Sequence, residues 1–127
     1  MYRLIVAGGR DFDNYCLLDS KLDYFTMRID FKLLEVVSGK ARGADTFGEI
    51  WARERGVTVA EFPANWDKHG KSAGYIRNRE MAEYSVANGN RGLLVAFWDG
   101  NSKGTRSMID LGHSYGLDVR IVEYGQG

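Results

Sequence analysis

A chain of 127 residues, 44% of them hydrophobic, is long enough to bury one core of ordinary size, so residues 1–127 read as a single domain. Lysine plus arginine equals aspartate plus glutamate at 17 each, which excludes a global field for nucleic acid, and the longest apolar run, residues 93–98, is far too short to cross a bilayer. With no signal-peptide pattern and a lone Cys16 that has no internal partner, the sequence points to a cytoplasmic protein without disulfides and without a membrane partner.

Residues 3–8 open with Leu4-Ile5-Val6-Ala7 and run into Gly8-Gly9, which reads as a buried first strand. Asp13 is placed to cap a first helix whose Tyr15, Leu18, Leu22, Phe25 and Ile29 recur at three- and four-residue spacing. Residues 33–37 form a second strand, and residues 44–55 a second helix with Phe47, Gly48 and Trp51 on one face and Gly56 as its stop. A third strand over residues 57–62 ends at Pro63. Residues 63–75 show neither helical nor strand periodicity and stand as a long binding loop or lid. A third helix follows over residues 76–87, then a fourth strand over residues 93–98. The fourth helix starts near Lys103 with Met108, Leu111, Gly112 and Tyr115 on one face, and residues 118–123 make the last strand.

Strands alternating with helices imply right-handed crossovers and a parallel sheet covered on both faces. The expected fold is α/β, one doubly wound sheet of about five strands in the order 3-2-1-4-5. Its ligand crevice would lie where strands one and four part, so that the loops after strands one, two and four converge there.

Two of those loops are glycine-rich: Ser38-Gly39-Lys40-Ala41-Arg42-Gly43-Ala44-Asp45 and Trp98-Asp99-Gly100-Asn101-Ser102-Lys103-Gly104-Thr105. A helix N-terminus presents unpaired amides and a positive dipole end, and glycine lets backbone approach a phosphate without a Cβ in the way. A tight strand-to-helix turn would also use glycine. These turns, however, bring hydroxyls and cations as well, namely Ser38, Lys40 and Arg42 in the first and Ser102, Lys103, Thr105 and Arg106 in or after the second. The expected partner is a phosphate-bearing, nucleotide-derived small molecule. Its candidate contacts are Gly8, Gly9, Arg10 and Asp11, then Ser38, Gly39, Arg42, Gly43 and Asp45, and then Gly100, Ser102, Lys103, Gly104 and Thr105.

Arg77 and Arg79 fall in the first turn of the predicted third helix, where the dipole disfavours a cation. Glu80 could compensate; alternatively Arg77, beside Asn78, turns its bidentate fork to a phosphate. Trp66, Tyr75 and Trp98 could each offer a face to a base; Trp98 ends an apolar strand and reads as core, whereas Trp66, set among polar residues, is the better candidate for stacking. His69 and His113 have no zinc-ligand spacing, so no transition-metal site is expected. Asp11, Asp45 and Asp99 could hold Mg²⁺ alongside the phosphates, with helix capping the alternative for Asp45. No Walker A or nucleophile-elbow spacing is present.

Gly8-Gly9-Arg10-Asp11-Phe12, the two glycine turns, Trp51-Ala52, Asn65-Trp66, Gly70-Lys71-Ser72-Ala73-Gly74 and Arg77-Asn78-Arg79-Glu80-Met81 together resemble the YspA/YpsA-like branch of the SLOG superfamily, over nearly the whole chain. The resemblance implies a Rossmann-like fold that binds nucleotides or nucleotide-derived ligands, in a group frequent in phage and in bacterial conflict systems. It also implies pairing through helices into a homodimer or higher homo-oligomer. Arg77, Met81 and Gly104-Thr105 match the arginine, methionine and glycine-threonine turn of the Lonely Guy phosphoribohydrolases of the same superfamily. Met108, or Ser107 if the register shifts, stands where that motif has glutamate. Oxocarbenium-like chemistry at a ribose needs an anion nearby, so no catalytic residue is assigned and the expected role is that of sensor, carrier or sequestering protein. The alternative is N-glycosidic hydrolysis with Asp11, Asp45 or Asp99 in place of the glutamate. A DNA-binding role like that of the superfamily member DprA is disfavoured by the neutral charge and the lack of a basic stripe.

Overall fold

Side chains alternate across a strand, so β1 (Tyr2–Gly8), buried at four consecutive positions, has to be covered on both faces. The computed structural model describes residues 1–125. It shows β1 at the centre of a wholly parallel five-stranded sheet, ordered β3-β2-β1-β4-β5, with β2 (Leu34–Ser38), β3 (Thr58–Glu61), β4 (Arg91–Trp98) and β5 (Asp118–Glu123). This is the doubly wound α/β architecture and strand order that the alternation of elements implied. Leu4 and Val6 face α1 (Tyr15–Phe25) and α2 (Ala44–Glu54), in a core built around Leu18, Leu22, Trp51, Val95 and Phe97. Ile5 and Ala7 face the opposite layer, where Met81 and Ala82 of α4 (Ala73–Val86) join Met108, Ile109 and Leu111 of α5 (Lys103–Ser114).

One polar latch ties the first layer. Trp51, fully buried, donates its indole N–H to Asp23 at 2.9 Å, and Arg55 stacks over the same indole while its Nε reaches Asp23 at 2.8 Å. The Arg55 guanidinium, with help from the indole, holds the Asp23 carboxyl below the usual carboxylate range against its partial burial.

Several boundaries differ from the sequence reading. Asn14, not Asp13, caps α1 by accepting from the Leu17 amide at 3.0 Å. Leu33 lies half-exposed in a single 3₁₀ turn, Phe31–Leu33, so the second strand begins one residue later. The fourth strand starts earlier, at Arg91, because Tyr2 and Arg91 pair in register. Residues 63–75 are not a lid without structure: they hold the single-turn helix α3 (Trp66–His69), a 3₁₀ turn (Gly70–Ser72) and the start of α4. Asn65 caps α3 from its side chain, accepting from the Lys68 amide at 3.1 Å. Turns this short complete no apolar period, which is why periodicity passed them over.

Candidate functional site

β1 and β4 are neighbours whose connections leave on opposite faces, and at their carboxyl ends they open onto a cavity of about 630 Å³. The end of β1 and the loop after it bring Gly8, Gly9, Arg10 and Asp11 to it, and the second glycine turn with α5 brings Ser102, Lys103, Gly104 and Thr105. Asp45 enters from α2. Trp66, Arg77 and Asn78 enter from α3 and α4, together with Tyr75, named from sequence as a further face for a base, and Lys71, which the sequence did not assign as a contact. Trp66 and Tyr75 are 51% and 50% exposed, so each offers an aromatic face to the cavity mouth.

Ser38, Gly39, Arg42, Gly43 and Gly100 do not line the cavity. The first glycine turn satisfies itself instead. The Ser38 hydroxyl donates to Glu49 at 2.6 Å, and Lys40, in the left-handed region at φ 61°, reaches Glu49 at 3.0 Å and Glu61 at 3.2 Å. Glu49 is buried, yet these partners and Arg53 hold its carboxyl below the ordinary range. Gly43 has φ 79°, and a Cβ there would run into the Gly9 carbonyl, so this glycine exists to let two loops touch. The carboxylate of Asp45 turns back into the loop and accepts from the amides of Ala41, at 3.3 Å, and Gly39. The place that an anion would take is filled from within. Burial pushes this carboxyl up to about 6, against the pull of those amides and of Arg77.

Arg77 sits in the second turn of α4, since that helix begins at Ala73, and the dipole argument made for it from sequence does not apply. Its Nη1 donates to the Gly39 carbonyl and its Nε to Asn78 Oδ1 at 2.9 Å. Desolvation lowers the Arg77 pKa, Asp45 opposes that, and Arg10 adds to it. Arg79 pairs with Glu83 at 3.5 Å rather than with Glu80. Asn78, 7% exposed, places its amide nitrogen 3.5 Å from the Gly104 carbonyl and so links α4 to the second glycine turn.

That second turn is shaped by Asp99, whose Oδ1 accepts from the amides of Asn101 and Ser102, both at 2.8 Å, which holds its carboxyl below the usual range. The Trp98 indole, partly buried against the second core layer, donates to the Ser102 carbonyl at 3.1 Å. Ser102 caps α5 towards Thr105, and the two hydroxyls lie 3.1 Å apart. The amides of Lys103 and Gly104 precede any carbonyl of their own helix able to accept from them. A Cβ at Gly104 would meet nothing within 4 Å, so the cavity comes right up to the backbone there. Met108, 1% exposed, belongs to the second core cluster even though its edge borders the cavity.

Asp11 accepts from the Tyr124 hydroxyl at 2.9 Å, and Tyr124 packs edge-on against Phe12 at 4.8 Å. Among the described residues no three His, Cys, Asp or Glu side chains converge as a metal site.

Glycine turns at the switch point of a doubly wound parallel sheet define a Rossmann-like α/β protein. The chain matches the YspA, cpYpsA-related SLOG family over residues 2–69 and belongs to that family. It is 33% identical over 124 residues to the Gene 61 protein of Mycobacterium phage D29, covering 94% of each chain. The X-ray structure of DNA processing protein A (DprA) from Streptococcus pneumoniae shares its fold, with a TM-score of 0.66 at 18% identity over 99% of this chain. The match covers 52% of DprA, so this chain spans about half the length of that protein. Among the described residues no helix is long and apolar enough to cross a membrane.

Proposed function

We propose that the crevice binds a nucleotide or nucleotide-derived small molecule and that the protein acts as a sensor, carrier or sequestering protein. The phosphate sits on the N-terminal turn of α5. The observation that carries this reading is the opening at Gly104: amides, two hydroxyls and Lys103 border a cavity that reaches the backbone with no side chain between. Trp66 and Tyr75 supply faces for a base at the mouth. Membership in the SLOG family and the phage relative support a nucleotide-linked role in phage and bacterial conflict.

The test is thermal unfolding with mononucleotides, dinucleotides and ADP-ribose derivatives, with a single-stranded DNA oligonucleotide as a further arm. A ligand at about a hundred times its Kd adds roughly 2.7 kcal/mol, a clear rise in melting temperature for a domain of this size. No shift at millimolar concentration with any nucleotide overturns the reading, and a shift with the oligonucleotide alone replaces it with DNA binding.

Hydrolysis of an N-glycosidic bond is the second reading, and one observation favours it. Of the three candidate aspartates only Asp45 is both buried and on the cavity, with a carboxyl raised towards neutrality as a general acid or base requires. Release of free base by the wild type, lost in Asp45→Asn, would establish it.

A further inference from the structure

We propose that the ligand carries two linked anionic groups, a pyrophosphate or its equivalent, with one phosphate on the α5 turn and the second clamped between Arg10 and Arg77. This deepens the nucleotide reading of the same crevice and rests on it.

The charge of the cavity is unbalanced in a particular way. Arg10, Lys71, Arg77 and Lys103 line it, against Asp11 and Asp45. Asp11 is engaged by the Tyr124 hydroxyl and Asp45 by the amides of the first glycine turn. Among the described residues Arg10, Lys71 and Lys103 take part in no ion pair. One phosphate monoester held at the α5 turn leaves Arg77 as it is, partly desolvated and sharing the cavity with the like charge of Arg10. Keeping two guanidiniums against one cavity costs free energy that a second anion between them relieves.

Geometry places the second station next to the first. The Arg77 fork spends Nη1 on the Gly39 carbonyl and Nε on Asn78, which leaves its Nη2 edge turned towards Gly74 on the cavity wall, about where a Cβ on that glycine would come within 4.0 Å. Asn78, nine-tenths buried, touches Arg77 through its oxygen and approaches the Gly104 carbonyl through its nitrogen, so one side chain spans the distance between the stations. That separation suits phosphates joined through a shared oxygen better than two independent anions. Arg10, exposed on the loop after β1, lines the same cavity and stands close enough for Arg77 to feel its charge, so the two guanidiniums can share the second phosphate.

The experiment is calorimetric titration of the whole chain with inorganic orthophosphate and inorganic pyrophosphate at fixed ionic strength, which removes any contribution from a base. The expected result is pyrophosphate at least about tenfold tighter than orthophosphate. Arg10→Gln should weaken pyrophosphate more than orthophosphate and so reduce that preference, whereas Lys71→Gln should weaken both anions alike or not at all. Arg10 is exposed, so its substitution should leave the fold intact, which circular dichroism of the variant checks. Equal affinities in the wild type, or equal loss of both anions in Arg10→Gln, overturns the two-anion inference and leaves the nucleotide reading standing. Failure of both anions and of every nucleotide to bind the wild type overturns the nucleotide reading itself.

Discussion

Replacing Asp45 with asparagine removes a buried group that titrates, and the structure sets the size of the effect. Burial raises this carboxyl from 3.8 to about 6, with the Ala41 amide and Arg77 pulling the other way. A folded-state pKa above the unfolded value means that the native chain holds the proton more tightly. The resulting stabilisation is complete below about pH 3.8 and is lost as pH rises through about 6. Two pKa units correspond to about 3 kcal/mol, a large part of the ~5–15 kcal/mol that stabilises a domain. Asparagine keeps an oxygen for the Ala41 amide and does not titrate. It also deprives Arg77 of its counter-charge, a cost that moves the baseline rather than the slope. The stability of Asp45→Asn relative to wild type should therefore shift by about 2 kcal/mol in favour of the variant between pH 4 and pH 7.5, the rest of the effect lying below pH 4. Asp23 and Asp99, whose carboxyls are held low and whose contributions fade as pH falls, are common to both proteins and cancel, while Glu49 feels the Asp45 charge and adds a smaller difference of its own. Urea unfolding of the two proteins across that range measures the difference, and a flat difference refutes the assignment of a buried, proton-retaining carboxyl.

Gly104→Ala should stabilise the ligand-free fold by about 0.5–1 kcal/mol, since the position is helical and open, while weakening orthophosphate binding in calorimetry; unchanged binding would place the phosphate elsewhere. Gly43→Ala should cost more than about 2 kcal/mol in urea unfolding, because φ 79° disfavours a Cβ and the Gly9 carbonyl occupies its space. Met108→Glu should destabilise by several kcal/mol and confer no base release from nucleoside monophosphates, and a variant of wild-type stability would show that the side chain turns out into the cavity.

Much of the architecture was legible along the chain. Leu4-Ile5-Val6-Ala7 and the run over residues 93–98 are apolar without alternation, as strands covered on both faces must be, and the helical stripe through Leu18 and Leu22 follows the first of them and precedes the second strand. Alternation of such elements leaves few topologies, and the order 3-2-1-4-5 is among them. The second glycine turn was legible for the same local reason: Ser102 capping α5 and Gly104 in its first turn are neighbours in sequence.

What the residues of the first turn do was decided only by packing. Ser38 and Lys40 read as phosphate donors until Glu49, one buried turn further along α2, claims both, and Asp45 fills the amides that an anion would have taken. Arg77 reaches the Gly39 carbonyl across 38 positions and Tyr124 reaches Asp11 across 113. Local sequence determines which backbone can turn and which face is apolar, because those depend on dihedral preference and on periods of two and 3.6. Which charge meets which depends on Coulomb and hydrogen-bond contacts that form only once the sheet has brought distant loops within a few ångströms of one another.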